Sequence, residues 1–139
     1  MNGNDFVKFI LKSPLQIFMG NTMLITVTGR KTGRKIAVPV NYYRDAEALW
    51  VITTRSRNWW RNVKDGGEVD LYLHGKEQKG FAEAILDESK VAAHIGDYIR
   101  HFPVSAGALG VRNKNGVPNA EDVTRLAKER LFIKIQLYE

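Results

Sequence analysis

Alternating apolar and polar positions along the chain predict a series of β-strands joined by short turns. Strands are expected at 23–28, 35–43, 48–54, 68–74, 77–86 and 131–138. Pro39 falls inside the second run, and proline cannot donate to a strand ladder. The second strand is therefore expected to be interrupted there or to lie at a sheet edge. The pattern predicts about six mostly antiparallel strands.

Apolar positions at helical spacing predict helices between and around these strands. The first covers 4–19 with a kink at Pro14, the second is capped by Asp87 and runs to about His101, and the third begins at 118–122. A short helix is expected after Asn58, and residues 103–118, rich in Gly, Pro and Asn, are expected to form a flexible loop. The expected fold is mainly β with flanking helices, a small barrel within one domain spanning 1–139.

The positive charge of the sequence is concentrated in one region. The chain has 21 Lys and Arg against 15 Asp and Glu, a net charge of +6. Residues 30–64 hold nine of the cations and two of the acids, which leaves twelve cations and thirteen acids elsewhere. This surplus predicts an anionic partner, and the classes that fit are nucleic acid, a phosphorylated cofactor and a membrane surface.

Composition removes several other classes of function. There is no cysteine, which excludes disulfides and thiolate metal sites. No metal site is expected, because the three His show no ligand spacing with carboxylates. No apolar run approaches the ~20 residues of a membrane span, and the first apolar stretch is broken by Lys8, Lys12 and Pro14. The expectation is a cytoplasmic protein without stable membrane insertion.

Two clusters of cations stand near the ends of predicted strands. The first is a turn with Arg30, Lys31, Arg34 and Lys35 around Gly33, a combination that suits a phosphate. A charged hairpin tip is more often only solvated, and this turn lacks the Walker spacing. The second cluster, Arg55 and Arg57, follows the third strand. In a three-strand meander that strand ends beside the first turn, so both clusters can converge on one anion.

Trp59 and Trp60 begin the predicted short helix. Adjacent helical positions are not expected to face a core together, so one Trp is expected to cover a planar ligand, although core packing is the commoner role for either Trp alone. No pattern for nucleophilic catalysis is present, and the catalytic residues are unknown from sequence. Tyr42, Tyr43 and Tyr98 are candidate proton donors, for each of which packing is the commoner role.

Residues 24–86 resemble the deazaflavin-dependent nitroreductase and quinone reductase family, a branch of the flavin-binding split β-barrels of the pyridoxamine-phosphate-oxidase-like superfamily. Three separated elements carry the resemblance: the GRKTG turn at 29–33, the PVNYY strand at 39–43 and the WWRN helix at 59–62. The resemblance implies a split β-barrel that binds F420, which is a deazaflavin, or FMN. Family members usually end with a tyrosine-bearing loop, whereas residues 103–130 contain no tyrosine.

The resemblance also implies which residues bind the cofactor. Its phosphate is expected at Lys31, Thr32, Arg34, Arg55 and Ser56, with Gly33 and Thr54 in the same two segments. Its ring system is expected to be bordered by Pro39, Val40, Asn41, Trp59 and Trp60. Replacing Arg55 by Ala is expected to weaken cofactor binding about ten- to a hundredfold and to leave fold stability nearly unchanged.

The expected function is that of an oxidoreductase that transfers a hydride from a reduced flavin or deazaflavin to a small-molecule acceptor, such as a quinone, enone or nitro compound. One alternative is a nucleic-acid-binding module that uses the basic and aromatic cluster at 30–64, and the compactness of the cluster argues against it. Another alternative is a flavin carrier without turnover. A homodimer is expected, because the superfamily often builds its cofactor site across two subunits.

Overall fold

The computed structural model describes residues 22–45 and 47–138. The helix predicted at 4–19 lies outside these residues. The chain divides into two compact units. The first contains Met1–Ile52, Asn58–Ala84 and Ile133–Glu139, and the second contains Thr53–Arg57 and Ile85–Phe132. A single domain over 1–139 stays a prediction.

The strands are β1 Thr22–Thr28, β2 Lys35–Asp45, β3 Ala48–Thr54, β4 Gly67–Leu73, β5 Lys76–Ile85, β6 Asn113–Lys114, β7 Val117–Pro118 and β8 Arg130–Leu137. Six of them form a closed barrel in the order β1-β2-β3-β8-β5-β4. The β1–β2, β1–β4, β2–β3 and β4–β5 pairs are antiparallel. This confirms the predicted fold class, mainly β with flanking helices, and the boundaries of the six barrel strands lie within two residues of the predicted ones.

Burial along the strands follows the alternation seen in the sequence. Val38 and Val40 of β2 are buried, whereas Ala37 and Pro39 between them are exposed. Pro39 is opposite Leu24 of β1, and the ladder between β2 and β3 covers only Tyr42–Asp45. Pro39 therefore lies outside the β2–β3 ladder but within the β1–β2 ladder, so the expected interruption is found on the β3 side only. The alternative of an edge strand is wrong, because β2 lies between β1 and β3 in the closed barrel.

A short 3₁₀ helix at Trp59–Val63 lies in the first unit. It contacts β1 and β4, and its buried residues are Trp59, Trp60 and Val63. Asn58 occupies the N-cap position as expected, but its side chain forms no capping hydrogen bond. The helix is therefore held against the barrel by its apolar side chains.

The second unit contains three α-helices: α1 Glu88–His101, α2 Ser105–Leu109 and α3 Ala120–Glu129. Asp87 accepts a hydrogen bond from the Lys90 N–H at 3.0 Å, and Asn119 accepts one from the Asp122 N–H at 3.0 Å. Both bonds are N-caps, so the predicted helix starts are confirmed. Helices α1 and α3 pack together, and their buried residues include Val91, Ile95, Tyr98, Ile99, Leu126 and Ala127. Among the residues described, no helix is long and apolar enough to cross a membrane.

The loop expected at 103–118 is wrong in part, because this segment contains α2 and the hairpin of β6 and β7. The hairpin turns at Asn115 and Gly116, both with positive φ, at 53° and 80°. An Asn-Gly pair suits the turn of a two-residue hairpin, because both central residues must adopt left-handed conformations. The Asn115-Gly116 pair is the sequence signal for this hairpin.

A buried carboxylate fastens this hairpin segment to α3. Asp122 is 3% exposed and accepts hydrogen bonds from the Arg112 backbone N–H and Nε, both at 2.9 Å. It also accepts from Nη2 of Arg112 and Nη2 of Arg125, both at 3.2 Å. We call Arg112, Asp122 and Arg125 the Asp122 clasp. Because each partner donates to an ionised oxygen, the clasp is a set of charge-assisted hydrogen bonds.

Candidate functional site

The turn between β1 and β2, residues 29–34, is closed by its own backbone. The Gly29 N–H donates to the Arg34 carbonyl at 2.7 Å, and the Gly33 N–H donates to the Gly29 carbonyl at 2.8 Å. The Arg34 N–H donates to the Thr32 hydroxyl at 3.2 Å. Gly33 has a φ of +71°, a conformation that glycine adopts without strain. We call residues 29–34 the basic turn, and these bonds fix its shape without a ligand.

The tip of the basic turn carries cations that have no partner within residues 22–45 and 47–138. Lys31, Thr32, Gly33 and Arg34 are all exposed, and the side chains of Lys31 and Arg34 form no ion pair with those residues. Lys35 differs, because its Nζ donates to the Thr28 hydroxyl at 2.8 Å. The two free cations and the fixed backbone together form a surface suited to an oxyanion.

A groove of about 490 Å³ lies between the basic turn and the 3₁₀ helix. Three of its lining side chains are cations, and none is Asp or Glu. The lining residues are Gly29, Arg30, Lys31, Thr32, Ile36, Asn58, Trp59, Arg61 and Asn62. The structure thus brings together three of the predicted cofactor residues, Lys31, Thr32 and Trp59.

The basic turn and the 3₁₀ helix, which form the two sides of the groove, are joined by hydrogen bonds. The Arg30 N–H donates to Asn62 Oδ1 at 3.0 Å, and Asn62 Nδ2 donates to the Trp59 carbonyl at 3.0 Å. Arg30 Nη1 approaches the Arg61 carbonyl at 3.5 Å. The first two bonds have ordinary lengths, and the third lies at the long limit.

Both Trp side chains of the helix are buried, Trp59 at 6% and Trp60 at 3% exposure. The expectation that adjacent positions do not both face a core is therefore wrong. The five-residue 3₁₀ helix lies against two strands, and the Arg61 guanidinium lies over the Trp60 ring, 4.6 Å from its centroid. The indole nitrogens of both side chains are buried without a hydrogen-bond partner in the described part of the chain.

The residues predicted to border the cofactor ring on β2 do not line this groove. Pro39 is exposed, Val40 is buried, and Asn41 is half-buried. Asn41 Oδ1 accepts a hydrogen bond from the Thr22 hydroxyl at 3.1 Å. Trp60 and Arg34 are also absent from the lining of the groove. A role for these residues in binding stays a prediction.

Thr54, Arg55 and Ser56 belong to the second unit, where Arg55 has a structural role. Its backbone N–H donates to the Glu129 carbonyl at 3.0 Å, and its Nε donates to the Arg130 carbonyl at 2.9 Å. Its Nη2 donates to the carbonyls of Leu86 at 2.7 Å and Ala127 at 3.1 Å. The expectation that Arg55 is an exposed cation without a role in the fold is wrong, because it is half-buried and binds the carbonyl end of α3.

The candidate proton donors are all buried. The Tyr42 hydroxyl lies 3.0 Å from His74 Nε2, and burial raises the pKa of Tyr42, while the charge of Arg44 offsets part of the effect. Burial likewise raises the pKa of Tyr98, whose ring contacts Phe102 and Phe132. Tyr43 is 1% exposed and stacks on Trp50 at 6.5 Å. None of the three lines the groove beside the basic turn.

The first unit has a second and larger groove, of about 700 Å³. It contains none of the predicted cofactor residues, and it carries both positive and negative side chains. Its lining residues are Leu24, Thr26, Lys35, Ala37, Asp70, Leu71, Tyr72, Glu77, Gln78 and Lys79. Lys79 is paired there with Asp70 at 4.0 Å and also with Glu68 at 3.7 Å. The charges of this groove therefore largely neutralise one another.

Reasoning from the sequence missed four polar residues of the groove beside the basic turn: Arg30, Asn58, Arg61 and Asn62. Arg30 contributes to the positive charge of the turn, and Asn62 is the last residue of the WWRN pattern. Its position three residues after Trp59 is the available signal, because that spacing brings its amide to the Trp59 carbonyl within one helical turn.

A comparison with protein families gives one match. The family described as F420H(2)-dependent quinone reductase matches residues 12–96, which is more than half of the chain. The matched range includes the basic turn, β2, β3 and the 3₁₀ helix. No curated protein matches the sequence.

Solved structures with the same fold come from several kinds of protein. A protein described as an F420 reductase has a TM-score of 0.52 and 13% identity over 86% of this chain and 87% of its own. A protein of the pyridoxinephosphate oxidase family related to general stress protein 26, from Clostridium acetobutylicum, has a TM-score of 0.53 and 11% identity over 94% and 84%. A general stress FMN/FAD binding protein from Xanthomonas citri has a TM-score of 0.53 and 13% identity over 86% and 76%. At these identities the similarity shows the fold alone.

Proposed function

Because the chain belongs to the F420H(2)-dependent quinone reductase family, we propose that it is a reductase that binds a deazaflavin at the basic turn and reduces a quinone. Enones and nitro compounds are the other acceptors considered, because each accepts a hydride at an electron-poor carbon or nitrogen.

The observation that carries the proposal is the pair of free cations on a turn of fixed shape. Lys31 and Arg34 are exposed and have no acidic partner in the described part of the chain. A phosphate bound between them would receive charge-assisted hydrogen bonds of roughly 1.5–3 kcal/mol each. The backbone around Gly33 is already closed, so little conformational entropy is lost when the phosphate binds. These features fit the phosphate that F420 and FMN have in common.

When bound, the deazaflavin supplies the hydride and the electronic chemistry. The chain contributes binding and orientation. Lys31, Thr32 and Arg34 would hold the phosphate, and the buried Trp59 beside the turn gives the groove one rigid apolar wall. No side chain is assigned as a proton donor, since the three candidate tyrosines are buried away from this groove.

FMN is the second candidate cofactor, because it offers the same phosphate to the same turn. The F420 reductase and the FMN/FAD binding protein share the fold of this chain, so the fold accommodates both kinds of ring in those proteins. Titrating the purified protein with F420 and with FMN, followed by absorbance, separates the two. Tighter binding of F420 supports the proposed deazaflavin cofactor, and tighter binding of FMN would replace it with a flavin.

The same preparation distinguishes the remaining functions. Oxidation of reduced F420 by a water-soluble naphthoquinone is expected only with the protein present. Binding of the cofactor without turnover would indicate a carrier. Binding of single-stranded DNA that falls steeply with salt, together with no cofactor binding, would indicate the nucleic-acid module instead. A homodimer also stays a prediction, and light scattering is expected to give twice the 15.8 kDa of one chain.

A further inference from the structure

We propose that Asn62 is the positioning residue of the basic turn, because its amide holds the turn against the 3₁₀ helix in the arrangement that receives an anion. The proposal rests on the phosphate role proposed for the turn. It gives a role to Asn62, which the resemblance includes only as the last residue of the WWRN helix, and that role is an action through Arg30 rather than a contact with the cofactor.

The Asn62 side chain uses both ends of its amide. Its Oδ1 accepts from the Arg30 N–H at 3.0 Å, and its Nδ2 donates to the Trp59 carbonyl at 3.0 Å. One end of the amide therefore bonds to the turn and the other end bonds to the helix. Because the amide is planar and rigid, it fixes the distance between the turn and the helix. Among common side chains of this length, only an amide offers one acceptor and one donor at the same time.

Other contacts do not replace this bridge. The bonds from Gly29 to Arg34 and from Gly33 to Gly29 close the turn on itself and connect it to nothing else. The only other hydrogen bond between the turn and the helix, within the described residues, is Arg30 Nη1 to the Arg61 carbonyl at 3.5 Å. Removal of the Asn62 amide leaves that long contact alone between the turn and the helix. The turn would stay attached to the β1–β2 ladder, which extends to Thr28 and Lys35, but it could shift relative to the helix.

A turn that can move relative to the helix must be ordered when the ligand binds, and this ordering weakens affinity. We expect the loss to be about tenfold for a phosphate-bearing ligand, which corresponds to about 1.4 kcal/mol. A ligand without the phosphate is expected to lose little, because it does not use the turn. The ratio of the two affinities is therefore the informative quantity, and general destabilisation of the fold would not change it.

The binding experiment compares Asn62→Ala with wild type, using FMN against riboflavin and F420 against a phosphate-free deazariboflavin. The phosphate-bearing ligand is expected to lose about tenfold in affinity relative to its phosphate-free partner. Asn113→Ala is the control, since Asn113 is an exposed residue of β6 in the second unit. An unchanged ratio in Asn62→Ala would overturn the positioning role.

The second experiment needs no ligand, so it separates this inference from the proposed function. Hydrogen exchange of the Arg30 amide is expected to be slow in wild type and fast in Asn62→Ala. Asn58→Ala changes the same residue type in the same helix segment and, because the Asn58 side chain forms no capping bond, is expected to leave the Arg30 amide protected. Equal protection in wild type and Asn62→Ala would overturn the bridge. Absence of any F420 or FMN binding to wild type would instead overturn the proposed function.

Should Asn62→Ala fail to fold, Asn62→Asp tests the same bond with a smaller change. Its carboxylate can still accept from the Arg30 N–H, while the donor to the Trp59 carbonyl is gone. Because the carboxylate is also repelled by the Trp59 carbonyl, the Arg30 amide is expected to exchange faster than in wild type at neutral pH. Protection equal to that of wild type would show that the bond to Trp59 is not needed to hold the turn.

Discussion

The basic turn at 29–34 and the segment 54–57 contain similar residues but use them differently. Both follow a β-strand, and both place cations next to Thr or Ser. In the basic turn, Lys31 and Arg34 are exposed and have no partner in the described part of the chain. In the second segment, Arg55 donates from its side chain to three backbone carbonyls. One segment therefore leaves its charged side chains unpaired within the described residues, and the other uses a charged side chain to complete the fold.

The difference comes from what surrounds each segment. A turn between two antiparallel strands projects its tip, and its own backbone satisfies its hydrogen bonds. The second segment lies in the same unit as the end of α3, where the last carbonyls of the helix lack intrahelical partners. A guanidinium has several donors in a fixed plane and suits such a cluster of carbonyls. A cation near a strand end is therefore evidence of a ligand site only when the protein leaves its donors unused.

The largest expected effect is on cofactor binding by the basic turn. Lys31→Gln with Arg34→Gln removes two charge-assisted hydrogen bonds of roughly 1.5–3 kcal/mol each, so affinity for F420 or FMN should fall a hundredfold or more. Thermal stability should stay constant or rise slightly, because repulsion among cations falls. Isothermal titration and thermal unfolding give both values. The control is Lys76→Gln with Lys114→Gln, an equal charge change at exposed positions; an equal loss of affinity there would show a general charge effect.

The next effect is on stability and concerns Arg55. Arg55→Ala leaves the carbonyls of Leu86, Ala127 and Arg130 without their donor, and we expect a loss of about 2–4 kcal/mol in the free energy of unfolding. At this chain length such a loss lowers Tm by roughly 10 °C. Arg57→Ala removes an exposed arginine two residues away and should leave Tm unchanged. Equal Tm values for Arg55→Ala and Arg57→Ala would show that Arg55 does not stabilise the fold. The segment 54–57 would then not differ from the basic turn in this respect.

The Asp122 clasp gives a pH dependence to the second unit. Hydrogen bonds from Arg112, through its side chain and then its backbone, lower the pKa of Asp122 to about 2 from an ordinary value of 3.8. A lowered folded-state pKa stabilises the fold above the unfolded pKa, and this contribution disappears as the pH falls towards about 2. Wild type should therefore exceed Asp122→Asn in Tm at pH 6, and the gap should narrow between about pH 4 and 2. If the difference in Tm between wild type and Asp122→Asn does not change over this pH range, the charge of Asp122 does not contribute to the stability of the fold.

The smallest effect concerns the backbone of the basic turn. Gly33→Ala adds a methyl group that meets no atom within 4 Å, so the cost is the left-handed conformation alone, about 1 kcal/mol. The change in Tm should be a few degrees, and FMN should bind several-fold more weakly because the turn deforms. Gly107→Ala is the control, as its added methyl also meets nothing and its φ is not positive. Similar losses of Tm and of FMN affinity in Gly33→Ala and Gly107→Ala would show that the shape of the basic turn does not matter for stability or for binding.

The barrel could be predicted from the sequence because its signal is local. Alternation at Val38 and Val40, and again at Val69 and Leu71, marks which side of each strand is buried. Turn residues then mark where the strands end. The helix caps at Asp87 and Asn119 are also local, since each bonds to an N–H three residues later. Features decided within a few residues were therefore predicted well.

The site was harder to predict because its bonds join distant residues. Asn62 reaches Arg30 across 32 positions, and Arg55 reaches Arg130 across 75. Nothing near Arg55 in sequence indicates that it binds the end of a helix formed much later in the chain. The Trp pair shows the same limit, because burial of both rings depends on the strands against which the helix lies. The phosphate residues inferred by resemblance stay predictions until ligands are measured.

The position of β8 in the barrel bears on how the protein is made. This strand lies between β3 and β5 although it follows both in the chain. During synthesis the barrel therefore cannot close until residues 130–137 have left the ribosome, and until then β3 and β5 each have an unpaired edge. Such edges are templates for pairing between nascent chains. Because β8 is made last, the edges of β3 and β5 must be kept from pairing with other chains during translation. Removal of β8 would leave both edges unpaired permanently, which is more harmful than the loss of eight residues suggests.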